Sequence, residues 1–113
     1  MKTHELVFRE VDKARFEEVQ DGTKPIETRA GTEKYQEIEV GDKINFVCGD
    51  DSFAKEVVKK YHWPTPEAIL EEVSLAKVMP GLHSIEEVWA RYASYPNYVE
   101  KIKEFGILGF ELE

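Results

Sequence analysis

The sequence predicts one α+β domain in which a sheet of about five or six strands curls into a small β-barrel, with two to four short helices packed around it. Three observations support this prediction. Apolar residues alternate with polar ones in several runs, as they do in half-buried strands. Helix-capping residues and helical spacing occur between those runs. A chain of 113 residues is the usual size of one domain, so residues 1–113 are assigned to a single unit.

The N-terminal segment is predicted to form a short strand followed by a helix. Residues 5–8 alternate as a strand does. Asp12 is a suitable helix N-cap, and Val11 and Phe16 occupy the two positions of a hydrophobic staple around it. Gly22 suits the C-terminus of this helix because glycine adopts the left-handed conformation without strain.

The middle of the chain contains a segment whose periodicity is ambiguous. Residues 31–37 are predicted to be a polar loop. Residues 38–48 alternate around a turn at Gly41 and Asp42, and Asp42 is assigned to the turn itself. In residues 53–63 the apolar spacing favours an amphipathic helix, whereas the valines and aromatic residues favour a strand. The residue pattern alone leaves this choice open.

The C-terminal half is predicted to contain short helices and a last strand. Residues 65–72 form a helix that begins with a capping threonine and a proline. Residues 84–87 are a capping box, and the apolar stripe that follows places Trp89 in the core. A further short helix ends at Gly106, and residues 107–112 close the chain as a strand.

The charge balance limits the kind of nucleic acid that the chain can bind. Fifteen basic residues against 23 acidic ones give a net charge of −8. Proteins that follow a long nucleic-acid backbone neutralise its phosphates and usually have a basic surplus. Any contact with RNA is therefore expected in a local basic patch, or in a pocket for about one or two nucleotides.

Other classes of site are not expected. Cys48 is the only cysteine, which excludes an internal disulfide, and the three histidines are far apart in the sequence. We therefore expect no metal and no cofactor. The N-terminus does not resemble a secretory signal, and no apolar run is long enough to span a membrane. We expect a cytoplasmic protein that makes no membrane contact, and we expect it to be a monomer.

The run from Gly22 to Arg29 is the most informative motif, with the pattern G-x-K-x-x-E-x-R. Pro25 favours an extended backbone from Lys24 onward, so Glu27 and Arg29 share one face of a strand. One interpretation is a small polar binding site, with Gly22 allowing close approach of the backbone. The other is an exposed edge strand that carries a weak surface ion pair. The residues alone support both equally.

The chemistry of Lys24 depends on which charged neighbour is nearer. If Arg29 lies closer, the amine of Lys24 loses its proton more readily, as a base or nucleophile requires. If Glu27 lies closer, Lys24 keeps its charge and donates hydrogen bonds to a carbonyl or phosphate. Arg29 can bind a carboxylate, a phosphate or a base edge through two hydrogen bonds. All three are candidate site residues.

Two aromatic residues are further candidates for ligand contacts. Trp63 lies beside Pro64 at the end of a predicted strand, where its ring can stack on a nucleobase. A tryptophan next to such a turn more often covers the core. Tyr95 is a candidate for the mouth of a pocket, although packing at a helix end explains it equally well. Both are retained as candidate binding residues.

Three blocks of this sequence resemble the ASCH domains, which are small β-barrels of the PUA-like superfamily. Residues 22–29 look like the signature of that family. Residues 41–46 (G-D-K-I-N-F) are similar to its G-D-x-I-x-F strand entry. Residues 92–95 (Y-A-S-Y), followed by Gly106, are a third and weaker match. The resemblance extends from about Glu5 to the C-terminus.

The resemblance implies a fold and a function. It implies a PUA-like barrel with a strand over residues 53–63, and we adopt that strand. ASCH domains are thought to bind RNA or modified nucleotides through the cleft that contains their motif. Carried over, Lys24, Glu27 and Arg29 become the cleft residues of this chain. The expected partner is RNA or a modified nucleoside or nucleotide in a local pocket, and other proteins are a further class of partner.

The resemblance also implies an alternative function. Some small bacterial members are amidohydrolases that remove the acetyl group from N4-acetylcytidine, using a lysine that activates a threonine three positions later. Lys24 matches that lysine, but Glu27 occupies the threonine position, and Thr28 is expected on the opposite face of the strand. In the alternative, Lys24 and Glu27 are catalytic residues and Glu27 activates water directly.

Overall fold

The computed structural model describes residues 1–113 and has an α+β architecture with one five-stranded mixed sheet, which confirms the predicted class. The strands are β1 (Thr3–Val7), β2 (Ile26–Ala30), β3 (Lys43–Cys48), β4 (Asp51–Trp63) and β5 (Ile107–Leu112). The helices are α1 (Lys13–Asp21), α2 (Glu33–Gln36), α3 (Pro66–Glu72), α4 (Leu75–Val78), α5 (Ile85–Ala93) and α6 (Tyr98–Phe105).

The sheet is not closed into the predicted barrel. Its strand order is β1-β3-β4-β5-β2, with β1 and β3 parallel and the other pairs antiparallel. The two edge strands, β1 and β2, share no backbone ladder but approach through side chains. The guanidinium carbon of Arg29 lies 4.8 Å from the centre of the ring of Phe8, which follows β1. Paired strands lie about 4.8 Å apart, too close to hold stacked side chains between them.

Strand β4 resolves the ambiguous segment. Residues 51–63 form one continuous strand, so the strand assigned to residues 53–63 is confirmed. The first half of β4 pairs with β3 and the second half with β5, with a register shift between Val57 and Lys59. Such a shift bends a strand and interrupts its alternation. This explains why the apolar spacing of the segment resembles that of a helix.

The first core lies between α1 and the face of the sheet formed by β1, β3, β4 and β5. Phe16 and Val19 of α1 are buried in it. Burying a side chain of this kind contributes about 1.5–3 kcal/mol of transfer free energy. Gly22 ends the helix in the left-handed region with φ of +86°, as predicted. The packing of Phe16 and Val19 against the sheet and the turn at Gly22 together fix the position at which the chain leaves α1.

The second core lies on the other face of the sheet, between β2, β4, β5 and helices α3 to α6. Ile107 belongs to it and Leu108 to the first core, as the alternation of a strand requires. The ring of Trp63 stacks on that of Tyr61, with their centres 4.8 Å apart. A side chain at Gly109 would collide with the Trp63 ring. The absence of a side chain at Gly109 is thus what allows Trp63 to pack flat on β5.

The predicted caps of α3 and α5 are present. The hydroxyl of Thr65 accepts a hydrogen bond from the backbone of α3, and that of Ser84 accepts one from Glu87 N at 3.2 Å. Trp89 is half-buried at the margin of the second core and donates to Glu67 Oε2 at 2.9 Å. It therefore packs against the core, where the apolar stripe places it, but it is not fully buried.

Two predictions about the start of α1 are wrong. Residues 10–12 form a 3₁₀ turn before the helix, and this turn directs Val11 into solvent, where the residue is 81% exposed. The staple with Phe16 is therefore absent. Asp12 precedes the helix, but its carboxylate accepts from Arg9 Nε at 2.7 Å and caps no backbone N–H.

The structure has six helices, which exceeds the predicted two to four. Helices α2 and α4 account for the difference, because each is a single turn of four residues. One turn is too short to show helical periodicity in a sequence. Helix α2 lies within the predicted polar loop over residues 31–37. None of the six helices has the length and apolar composition needed to cross a bilayer.

Asp42 does more than form its turn. Its carboxylate accepts a hydrogen bond from Glu39 N at 3.0 Å within the turn, and another from Lys2 N at 3.0 Å. It also bonds to the Nε2 atom of His4 at 2.8 Å. These bonds, that to His4 first, hold the pKa of Asp42 well below its usual range. Asp42 therefore fastens β1 to the turn that precedes β3.

Candidate functional site

A cavity of about 300 Å³ lies between the two edges of the sheet. The end of β1, strand β2 and the segment joining α5 to α6 contribute its walls. The residues that border it are Val7, Phe8, Arg9, Asp12, Arg15, Lys24, Glu27, Thr28, Arg29, Met79, Tyr92, Tyr95, Pro96, Tyr98 and Lys101. This volume is at the lower end of the range for small-molecule sites, about 300–1,000 Å³. The cavity is therefore the size of one small ligand.

Lys24, Glu27 and Arg29 converge in the wall of the cavity. Lys24 Nζ lies 2.9 Å from Glu27 Oε1, and Arg29 donates to Glu27 Oε2 from Nε at 3.2 Å and Nη2 at 3.1 Å. The side chain of Glu27 is 2% exposed, and those of Lys24 and Arg29 are 7% and 15% exposed. Because the three side chains form a buried cluster, the interpretation as an exposed surface pair is excluded.

The local fold explains this convergence. The N–H of Lys24 donates to Glu18 O at 2.9 Å, which fixes the chain as it leaves α1. Strand β2 begins at Ile26 and pairs with β5, so Glu27 and Arg29 share a face as predicted. Lys24 lies before the strand and reaches the same carboxylate.

The charges of the cluster stabilise one another. Burial alone would raise the pKa of Glu27, but the positive charges and hydrogen bonds of Lys24 and Arg29 outweigh it and lower that pKa below its usual value. Burial also opposes the charge of Arg29, but the Glu27 carboxylate, together with Tyr98 and Tyr35, outweighs burial and raises the pKa of the guanidinium. Glu27 is therefore ionised, and a carboxylate with a lowered pKa is a weak general base.

The partner of the Lys24 amine is the Glu27 carboxylate, not the Arg29 guanidinium. Of the two alternatives for its role, the structure has the one in which its ammonium group is a hydrogen-bond donor. An ammonium group has three donors, and Glu27 uses one of them. The other two are available to a ligand oxygen.

Three tyrosines from the region of α5 and α6 form an aromatic wall. The hydroxyl of Tyr92 lies 2.8 Å from Thr28 Oγ1, and the hydroxyl oxygen of Tyr98 accepts from Ala30 N at 3.0 Å. Burial raises the pKa of Tyr98 to about 12, so its hydroxyl stays protonated at neutral pH. Tyr95 packs edge-on against Tyr98, with ring centres 5.2 Å apart. Tyr92 and Tyr98 are thus bonded to β2, whereas the Tyr95 hydroxyl has no partner in the protein.

The cavity is positive although the chain is acidic. Its border includes five basic residues and only the acidic residues Asp12 and Glu27, whereas the whole chain has a net charge of −8. Arg15 is paired with Glu18, and Lys101 forms no ion pair. Positive charge is therefore concentrated here, which favours an anionic or acceptor-rich ligand.

The structure separates the six candidate residues. Four of them border the cavity, namely Lys24, Glu27, Arg29 and Tyr95. Gly22 lies outside it, at the exposed end of α1. Trp63 is only 3% exposed in the second core, and its Nε1 donates to Glu72 at 2.8 Å. Trp63 does not border the cavity, so the prediction that it contacts a ligand is corrected here: Trp63 is a core residue.

Sequence reasoning missed part of the cavity border. Apart from Thr28, the missed residues with polar or aromatic side chains are Phe8, Arg9, Asp12, Arg15, Tyr92, Tyr98 and Lys101. A signal for some of them exists, because Tyr92, Tyr95, Tyr98 and Lys101 recur at every third position. This spacing is that of one helix face, but the four residues do not share a helix, since Tyr92 lies in α5, Tyr98 and Lys101 lie in α6, and Tyr95 lies between them. Arg9 and Arg15 carry no such signal, since only the position of α1 relative to β2 brings them to the cavity.

Thr28 lies on the face of β2 opposite Glu27, as expected, yet it also borders the cavity. Its hydroxyl is bonded to that of Tyr92, and burial raises the pKa of Tyr92, so this partner is not a base at neutral pH. The arrangement provides hydrogen-bond donors and aromatic surface but no activated nucleophile. The structure also has no group of three or more His, Cys, Asp or Glu side chains placed to hold a metal ion.

The chain is similar to two solved structures over its whole length. The crystal structure of hypothetical protein PH0355 is 28% identical in sequence, with a TM-score of 0.83, and the match covers 100% of this chain and 98% of that one. The solution NMR structure of protein PF0455 from Pyrococcus furiosus is 29% identical, with a TM-score of 0.71 and coverage of 100% and 96%. No family model and no curated protein matches the chain. The likeness supports the α+β architecture, and neither protein's name states an activity.

Proposed function

We propose that the cavity is the ligand site of an ASCH-type binding module, an incompletely closed PUA-like barrel that recognises RNA or a modified nucleoside or nucleotide. The observation that carries the proposal is the convergence of Lys24, Glu27 and Arg29, the charged residues of the ASCH-like motif, in the wall of a small positive cavity. Nucleobase edges and phosphates are rich in hydrogen-bond acceptors, which such donors bind.

Glu27 acts in this proposal as a positioning residue. It holds Lys24 and Arg29 through both of its carboxylate oxygens. The guanidinium of Arg29 is further fixed by the rings of Phe8 and Tyr35, whose centres lie 4.8 and 5.7 Å from its central carbon. A guanidinium has five donors, of which Glu27 engages two. The remaining donors are held in place before a ligand arrives, which lowers the entropic cost of binding.

Tyr95 supplies the aromatic surface for a base. Its ring lies beside the guanidinium of Arg9, with 5.4 Å between the Arg9 central carbon and the ring centre. Both residues border the cavity. Stacking of a base on an aromatic side chain contributes about 1–3 kcal/mol. A base that enters beside Tyr95 therefore gains stacking energy while its polar edge faces the cationic wall.

The proposal is tested by NMR titration with short single-stranded RNAs and nucleosides. We expect shifts of the resonances of residues 22–29 and Tyr95. Arg29→Lys keeps the charge beside Glu27 but loses the planar donor geometry, so binding weakens about tenfold. Arg91→Lys is the matched control, because Arg91 lies outside the cavity border. Shifts confined to other surfaces, or equal effects of the two variants, would contradict the proposal.

The second candidate function is the amidohydrolase that acts on a small acylated nucleoside. The size of the cavity favours it, because the cavity suits one small ligand rather than a long RNA. The engagement of both Glu27 oxygens disfavours it, since a general base needs a free one. Incubation with N4-acetylcytidine, with Lys24→Ala as control, tests this function. Absence of released cytidine under conditions where a known hydrolase succeeds removes it.

A further inference from the structure

We infer that the ligand carries a phosphomonoester, and that the cavity takes a single nucleotide with a terminal phosphate rather than a neutral nucleoside or the interior of a long RNA. This inference rests on the proposed function and adds the charge class of the ligand. The terminal phosphate can belong to a free mononucleotide or to the end of an RNA strand, and the experiment below separates these two sources.

The first argument is the charge left over around the cavity. The basic residues that border it are Arg9, Arg15, Lys24, Arg29 and Lys101. The carboxylates paired with them, at N···O distances of 2.7 to 3.1 Å, are those of Asp12, Glu18 and Glu27. Five cations and three anions leave a net charge of +2, because Lys24 and Arg29 share the carboxylate of Glu27 and Lys101 has none. A phosphomonoester carries a charge of about −1.5 to −2 at pH 7, which matches this excess, whereas a nucleoside carries none.

The second argument is the charge of the rest of the chain. The net charge is −8, and the eight side chains above contribute +2, so all other side chains together contribute −10. Phosphates of an RNA that extended beyond the cavity would therefore meet a predominantly negative molecule. This distribution favours a ligand whose anionic group lies inside the cavity. A single nucleotide or the end of a strand fulfils that condition.

The third argument is the availability of donors. Lys101 of α6 is exposed at the border of the cavity and makes no ion pair. Lys24, which precedes β2, has two ammonium donors that Glu27 does not use. Hydrogen bonds between an ammonium group and a phosphate oxygen are charge-assisted and about twice as strong as neutral ones. A phosphate at this site can take such bonds from two separate elements of the fold.

Isothermal titration calorimetry tests the inference with the four ribonucleoside 5′-monophosphates, their nucleosides and inorganic phosphate. At about pH 7.5 and low salt, we expect at least one monophosphate to bind about tenfold more tightly than its nucleoside and than inorganic phosphate. The second pKa of a phosphomonoester is about 6, so this advantage should fall severalfold at about pH 5. Short RNAs with and without a 5′-phosphate form the second arm and identify the source of the phosphate.

Two lysines of α6 provide a matched pair of variants. Lys101 borders the cavity, whereas Lys103 is exposed on the same helix and does not. We expect Lys101→Ala to weaken binding of the monophosphate about tenfold and to weaken binding of the nucleoside much less. Lys103→Ala should change neither. Both side chains are exposed, so both variants are expected to fold, which circular dichroism verifies.

The outcomes distinguish the inference from the proposed function. Equal binding of nucleosides and monophosphates, or equal effects of Lys101→Ala and Lys103→Ala, overturns the inference and leaves the proposed function standing. Binding of RNA at residues 22–29 that does not depend on a terminal phosphate also overturns the inference and leaves the proposed function standing. Inorganic phosphate that binds as tightly as the best nucleotide overturns the proposed function, because no nucleoside is then recognised. Failure of every nucleotide, nucleoside and RNA to bind overturns both.

Discussion

Two carboxylates are buried in this molecule, those of Glu27 and Asp42, and the protein compensates their charges in different ways. Asp42 bonds to two backbone N–H groups and to the ring of His4, and it borders no cavity. Glu27 bonds mainly to the side chains of Lys24 and Arg29, which border a cavity and have further hydrogen-bond donors that Glu27 does not use. Both carboxyls have a lowered pKa. The comparison indicates two roles for a buried carboxylate. One that bonds to backbone groups holds two segments of the chain together, whereas one that bonds to cationic side chains holds those side chains at the cavity.

The largest effect should come from Glu27→Gln. This change leaves Lys24 and Arg29 buried without their counterion, and breaking a buried ion pair in this way costs about 3–5 kcal/mol. Urea unfolding measures the loss. Glu39→Gln is the control, because the Glu39 side chain is 67% exposed and its removal should cost little. A loss for Glu27→Gln no larger than that for Glu39→Gln would mean that the cations of the site are well solvated.

Asp42→Asn should destabilise the protein less than Glu27→Gln, by about half as much or less. The two backbone N–H groups donate to different oxygens of Asp42, so the single acceptor oxygen of an asparagine keeps only one of these bonds. No buried permanent charge is left behind. Hydrogen exchange should become faster mainly in β1, because Asp42 fastens that strand through Lys2 and His4. If Asp42→Asn costs more than Glu27→Gln, the contrast between the two carboxylates is reversed.

Acid should weaken the fold through both carboxylates. Their folded pKa values lie below their unfolded ones, so the unfolded state binds protons first as the pH falls. The stability that they contribute is complete above the unfolded values of about 4 and is lost as the pH falls below them. Urea unfolding at a series of pH values should show this decline, with a shallower slope for Asp42→Asn. If the free energy of unfolding falls with pH equally steeply in the Asp42→Asn variant and in the unchanged protein, Asp42 has no role in acid sensitivity.

The smallest effect on stability should come from Asp12→Asn at the cavity border. Asp12 pairs with the half-exposed Arg9, and pairs of this kind contribute little to stability. Removing the carboxylate raises the positive charge of the cavity, so a nucleoside monophosphate should bind about two- to fivefold more tightly. Calorimetry and thermal melting measure the two quantities. Weaker binding would show that Arg9 needs Asp12 to hold it in place.

The fold could be predicted where local chemistry decides it. Gly22, Thr65 and Ser84 mark helix ends through their own backbone or side chain, and these assignments are confirmed. Val11 could not be placed, because the 3₁₀ turn before α1 rotates it outward. The bend of β4 depends on its pairing with β3 and then β5, which are distant partners. The spacing of its own residues therefore could not reveal the strand.

The site could be predicted only in part for the same reason. Lys24, Glu27 and Arg29 lie within six positions. Strand geometry places Glu27 and Arg29 on one face, and Lys24 reaches them from the residues just before the strand. Lys101 is far along the chain and reaches the cavity through the packing of α6. Trp63 lies next to a proline, as Tyr95 does, yet only Tyr95 borders the cavity. Sequence could not separate these two, because the space that receives the Trp63 ring is created by a glycine on another strand.

Strand β4 contributes Val57 to the first core and Tyr61 and Trp63 to the second. Neither core is complete without it, and its loss deprives β3 and β5 of a neighbour at once. The two halves of the molecule should consequently melt together, in one cooperative transition. A chain cleaved between Val57 and Lys59 would yield two pieces that each lack part of this shared strand, and neither piece should retain native structure when purified alone.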